Sequence, residues 1–162
     1  MIIRCSLSSQ SLRNAADILQ KYADSLPKKA ETLVRNLGNY GWDRALEHLD
    51  HVDTGDTFNS VYFDQNGNDG VLTAGGAAVW IEFGTGVLAN ASSKDHPKRS
   101  DVGAVSWGEY GHGLGKGRWW FINKDGEKRW TEGITMNPFM YQASQDMRRE
   151  IERMAKEAFR FD

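Results

Sequence analysis

Apolar residues keep a helical step twice in the first third of the chain. Leu12, Ala15, Ala16, Leu19, Ala23 and Leu26 recur at three- and four-residue intervals, which predicts a first helix capped by Ser8, Ser9 or Ser11. Pro27 lacks a backbone donor and crowds the turn before it, so a kink or break is expected at Ser25–Pro27. A second helical stripe follows on Leu26, Ala30, Leu33, Leu37, Tyr40, Gly41, Ala45, Leu49 and Val52, and it tolerates Gly38 and Gly41 at some cost in propensity. This stripe is the best-defined apolar face of the sequence. Ahead of it, Ile2 to Ser8 has the texture of a short edge strand. At the other end, Phe139, Ala143, Met147, Ile151, Met154 and Ala158 predict a closing amphipathic helix, with Asn137 placed to cap it and Pro138 at its first helical position.

Between these helices the period changes to two. Thr57 to Phe63 is β-branched and aromatic, Gln65 to Gly70 is turn chemistry, and Val71 to Ala74 reads as the return strand of a hairpin. Ala77 to Phe83 alternates, with Ala77, Val79, Ile81 and Phe83 on one face and Ala78, Trp80 and Glu82 on the other, so a strand is expected there too. A second hairpin is predicted from Arg118–Asn123 and Glu127–Thr131 around the Asp125-Gly126 turn. From Gly84 to Gly117 glycine recurs at 84, 86, 103, 108, 111, 113, 115 and 117, so residues 87–117 read as a long glycine-rich loop insert. The fold class that results is α+β, a single domain over residues 1–162. It has N-terminal helices, a central, mainly antiparallel sheet of hairpins, and a C-terminal helix packed on that sheet.

Length and composition narrow the picture. A chain of 162 residues hides roughly 68–70% of its unfolded surface, enough for one core without staples. No apolar run approaches the ~18 residues that span a bilayer, and Met1 to Cys5 has no leader-like pattern, so a cytosolic start and no membrane are expected. One cysteine, Cys5, makes neither an internal disulfide nor a multi-thiolate metal site. The net charge of −2 argues against a nucleic-acid binder driven by overall charge. That average conceals blocks: +3 over residues 1–40, −7 over 41–82, +3 over 94–130 and −1 over 131–162. An acidic block between basic ones favours a second copy laid head to tail, so that unlike patches meet.

Candidate chemistry is sparse. His48 and His51, beside Glu47, Asp50 and Asp53, have the spacing of two metal ligands on one helix end, yet nothing supplies a third distant ligand. Gly111-His112-Gly113-Leu114-Gly115-Lys116-Gly117 suggests a phosphate loop but leads into Arg118-Trp119-Trp120 and a strand, where a P-loop needs Ser or Thr and a helix. Cys5 has no nearby histidine, and no Gly-x-Ser-x-Gly elbow occurs. Trp107, Trp119, Trp120 and Trp130, with Tyr110 and Phe121, crowd one stretch. Alternation sends Trp119 and Phe121 to one side and Trp120 to the other, serving as core, as subunit contact, or as a platform for sugars or bases.

Three features in order carry a resemblance: Trp80-Ile81-Glu82-Phe83-Gly84-Thr85-Gly86, the tryptophan hairpin, and Gly133 through Asn137-Pro138-Phe139-Met140 to Ala143. Over about residues 10–160 the chain resembles the tail-completion, or head-to-tail joining, family of tailed bacteriophages, small α+β neck and minor tail proteins. The insert between Gly86 and Trp119 exceeds that pattern, so no loop function is carried over. Physically, Gly84 and Gly86 permit a tight bend, and Glu82, on a solvent or interface face, is placed to accept backbone or Thr85 donors that fix it. Pro138 and Phe139 start the last helix and anchor it.

The resemblance implies a structural virion protein without enzymatic activity or cofactor. It would form a hexameric or dodecameric ring in the neck, assembled in the host cytoplasm and touching other head, neck and tail proteins, with non-specific contact to DNA in the channel. A tail-terminator ring of similar build is the alternative. From other classes, a small metal-dependent hydrolase would use His48 and His51, and a carbohydrate-binding module would use Trp107, Trp119 and Trp120. In a ring, Asp50, Asp53 and Asp56 are the acidic contact candidates. Lys98, Arg99 and Arg118 are the basic ones, with Trp107 and Trp120 as apolar anchors.

Overall fold

The Ser8 hydroxyl accepts the Ser11 N–H at 3.2 Å and opens α1, Ser9–His48, a single helix of 40 residues and therefore about 60 Å long. The computed structural model describes residues 8–49, 56–85, 119–123 and 125–161, with only the backbone given for Asp56, Trp119 and Phe121. The expected edge strand at Ile2 to Ser8 falls, but for Ser8, outside these residues, as does the 87–117 insert.

The break expected at Pro27 does not occur: Pro27 lies inside α1. Two features brace the helix around Pro27. Ser25 Oγ donates to the Tyr22 carbonyl at 2.7 Å, and residues on both sides of Pro27 are tied to one C-terminal segment. Tyr22 Oη donates to the Phe159 carbonyl at 2.9 Å, and Lys29 Nζ donates to the Arg160 carbonyl. Tertiary contacts therefore hold the turn that local sterics would open.

The apolar stripe of α1 is buried only in its second half. Gly38, Gly41 and Ala45 are buried, whereas Leu12, Ile18 and Leu19 are 47%, 41% and 48% exposed. After α1 come the single turn α2, Asp56–Asn59, and the strands β1, Val61–Asn66, and β2, Asp69–Ala74. The strand expected from Thr57 thus begins four residues later. Ser60 makes the corner, its Oγ donating to the Thr57 and Gly75 carbonyls at 2.7 and 2.9 Å. β1 and β2 pair antiparallel from Val61↔Ala74 to Asn66↔Asp69, leaving a two-residue turn in which Gly67 has φ +60°.

Ala78–Phe83, expected as a strand, is a short helix, α3. Its buried residues Ala78, Ile81, Glu82 and Phe83 come from both of the faces that alternation would separate, while Val79 is 41% exposed. Packing against the last helix decides this in favour of the helix over β-propensity. β3, Trp119–Ile122, and β4, Lys128–Thr131, form the second hairpin as expected, and α4, Phe139–Ala158, closes the chain. The two hairpins are separate two-stranded antiparallel sheets.

α4 runs antiparallel along the second half of α1, and the β1–β2 hairpin lies on α1 beside it. The core unites all four elements: Ala45 and Leu49 from α1, Val61 from β1, Ala78 and Ile81 from α3, and Phe139 and Ala143 from α4. Two glycines in α1 make this approach possible. A Cβ on Gly38 would stand 2.0 Å from the Phe63 ring, and one on Gly41 would stand 2.3 Å from Met147 Sδ.

These contacts predict an inversion of ordinary helix propensity. Alanine gains about 1 kcal/mol over glycine in an open helix, but overpacking costs roughly 1–3 kcal/mol. Gly38→Ala should lower the urea midpoint, because a stiff ring blocks the methyl. Gly41→Ala should lower it less, because the Met147 thioether swings aside.

Candidate functional site

Glu82 and Met140, at the start of α4, stand 58 residues apart in the chain, yet they meet. The Glu82 carboxylate is 7% exposed and accepts two backbone N–H groups at the α4 N-terminus. Oε2 takes Met140 N–H at 2.9 Å and Oε1 takes Tyr141 N–H at 3.0 Å. An α-helix leaves its first N–H groups unpaired and carries partial positive charge at that end, so an ionised carboxylate there satisfies both demands. The expectation that Glu82 faces solvent or an interface is corrected: it accepts backbone donors, but inside the fold and from a distant helix. Capping by Asn137 is corrected too. The residue before α4 is Pro138, which offers no side-chain cap. Asn137 instead donates from Nδ2 to the His48 carbonyl at 3.0 Å and from its backbone N–H to the Ile81 carbonyl at 2.8 Å. One residue thereby joins the ends of α1, α3 and α4.

The rest of the Glu82-Phe83-Gly84-Thr85 element reinforces this joint. Gly84 ends α3 with φ +69° and ψ 177°, a conformation essentially reserved for glycine. Thr85 then clasps the strand-to-helix connection. Its N–H donates to the Ile134 carbonyl at 2.9 Å and its Oγ1 accepts the Ile134 N–H at 3.1 Å. Phe83 is buried at 6% exposure, and Phe139 is fully buried. Gly86 lies outside the described residues.

A second joint ties α1 to α4 and was missed by sequence reasoning. Asp146 Oδ2 accepts from His48 Nε2 at 2.7 Å and from Arg44 Nε at 3.1 Å, while Oδ1 meets Arg149 Nη1 at 3.2 Å. The His48 hydrogen bond, with help from Arg44, holds the Asp146 carboxyl below the ordinary carboxylate value. The available signal was an acidic residue three positions after Ala143 and next to Met147, on the margin of an otherwise apolar stripe. His48 is therefore engaged with a carboxylate whose other partners are the guanidiniums of Arg44 and Arg149, a poor setting for a metal cation. Among the described residues, no group of three or more His, Cys, Asp or Glu side chains is placed to hold a metal. His51 lies outside them.

The remaining contact candidates divide in two. Asp50, Asp53, Lys98, Arg99, Trp107 and Arg118 lie outside the described residues, and Asp56 is described only as the backbone start of α2. Trp120 is on the surface at 54% exposure. Trp42, which no sequence pattern singles out, donates from Nε1 to the Val61 carbonyl at 2.9 Å and fixes β1 on α1. Comparison with protein families, with curated proteins and with solved structures returns no match for this chain.

Both joints should be visible in unfolding measurements. Glu82→Ala should cost about 1–3 kcal/mol in chemical unfolding, since it orphans two buried donors, and Glu82→Gln, which keeps one acceptor, should cost less. Asp146 has a depressed folded-state pKa, so its stabilisation is present at neutral pH and is lost as pH falls through the ordinary carboxylate value near 4 and on through the lower folded one. Asp146→Asn should lower the melting temperature at pH 7 and flatten its decline between pH 5 and pH 2.

Proposed function

We propose that this protein is a structural virion component of a tailed bacteriophage, forming a ring of copies at the head-to-tail junction around the DNA channel. The observation that carries the reading is the Glu82 joint. Two of the three sequence elements that carry the family resemblance, Glu82-Phe83-Gly84-Thr85 and the segment around Pro138-Phe139, meet in one place, and the Glu82 carboxylate and Thr85 hydroxyl there hold backbone groups. Such a motif shapes a scaffold. Its chemistry is the alignment of α3 with the α4 N-terminus, so that the helices and hairpins present fixed surfaces to neighbours.

The surface supports the same reading. Leu12 and Leu19 on α1, Tyr62 and Val71 on the first hairpin, and Trp120 and Ile122 on the second are all large apolar side chains that are 47–73% exposed. Apolar area spread over several elements of one small chain suits a protein with more than one neighbour. Copies joined by unlike surfaces close into a ring, whose mechanism is assembly without turnover.

Native mass measurement tests this directly. The expected species are six or twelve times 18.2 kDa, either for the protein alone or on addition of phage head or tail parts. A chain that stays monomeric in both conditions, at every concentration, overturns the proposal.

A further inference from the structure

Two flat faces of the described chain lie open to solvent, and their chemistries are complementary. Directly opposed residues share one face of an antiparallel ladder. On β3–β4 the pairs Trp120↔Trp130 and Ile122↔Lys128 therefore stand together. They are exposed: Trp120 by 54%, Trp130 by 47% and Ile122 by 73%. The two indole rings meet edge to face, centroids 4.6 Å apart, and Lys128 Nζ lies 5.2 Å from the Trp120 ring centre. The face is thus aromatic with a cation upon it. Among the described residues this hairpin packs chiefly within itself. Such an exposed aromatic face is apolar area that a second surface would remove from water.

On β1–β2 the inward face carries Phe63 and Leu72 toward α1, and the outward face carries the pairs Tyr62↔Thr73, Asp64↔Val71 and Asn66↔Asp69. Tyr62 and Val71 are 54% and 62% exposed. Among the described residues no cation pairs with Asp64 or Asp69. This face is apolar with anions upon it.

The geometry points to a head-to-tail contact between copies of this chain, in which the Trp120–Trp130 face of one copy stacks on the Tyr62–Val71 face of the next. Charge selects the pairing, because Lys128 meets the carboxylates of Asp64 and Asp69 across a rim whose centre is apolar. Dimensions agree. Four-residue strands of about 13 Å lie within six-residue strands of about 20 Å, and stacked sheets sit about 10 Å apart. The two faces belong to different parts of the chain and both are exposed within one copy, so the contact is heterologous and repeats until it closes. The contact rests on the ring reading above and supplies its interface. It assigns the basic partner of the acidic block to the second hairpin.

The test uses two variants of the full chain, Trp120→Ala/Trp130→Ala and Asp64→Lys/Val71→Lys, both first checked by circular dichroism for a native melting profile. Native mass is then measured at matched concentration. Each variant alone should assemble more than tenfold more weakly than the unaltered protein. An equimolar mixture retains one sound contact per pair, so it should yield heterodimers and no closed ring. Rings of unchanged mass from either variant overturn the contact and leave the ring reading standing. The contact is likewise overturned if the tryptophan variant keeps its mass but loses affinity for cell-wall polysaccharide. An unaltered chain that never assembles, alone or with head and tail parts, overturns both.

Discussion

A buried carboxylate is tolerable only where its charge meets donors, and in this chain the α4 N-terminus supplies them to Glu82 at 2.9 and 3.0 Å. Much of the architecture follows from that pairing. It fixes α3 against the start of α4, places Phe139 in the centre of the core, and brings Gly84 and Thr85 to the point where the chain must turn and clasp Ile134. Asn137, freed from capping its own helix, reaches the last turn of α1 and satisfies the His48 carbonyl. Three helix termini are thereby closed by one buried acid and one amide.

α1 serves as the spine against which α4 and the first hairpin are placed. Its second half carries the glycines that admit Phe63 and Met147, and its last turns carry Arg44 and His48 to Asp146. Close packing and ion pairing thus alternate along one face. Toward its N-terminus the helix continues past Pro27, held by ties to the C-terminal segment, and presents Leu12 and Leu19 to solvent. Such a helix is stable because its far half is packed, while its near half remains available to another surface.

The two hairpins differ in what they need. β1–β2 is anchored on its inner face and open on its outer one, whereas β3–β4 turns a pair of tryptophans outward. Tyr62 and Val71 on the first hairpin and Trp120, Trp130 and Ile122 on the second thus leave apolar surface in contact with water.

Much of the fold was legible in the residues. The helical stripes of α1 and α4, both hairpins with their turns, and the α+β class follow from periodicity and turn chemistry, which are local and short in range. The importance of Glu82 and Phe139 was legible through the resemblance, though not their partnership. Four matters were decided only by tertiary structure. Helical continuity through Pro27 depends on Tyr22 and Lys29 reaching the C-terminus, and the helical state of residues 78–83 depends on packing against α4. The capping of α4 passed from Asn137 to Glu82, and Asp146 gained Arg44 and His48 as partners from a helix about a hundred residues earlier. Apart from Pro27, whose cost in a helix interior is about 3 kcal/mol, local preference amounts to about 1 kcal/mol or less per residue, while burying an acid or orphaning a helix terminus costs more. The sequence by itself determined which segments could be helix or hairpin; the fold decided which distant groups would meet, because burial and charge pairing act only once the chain has brought those groups together.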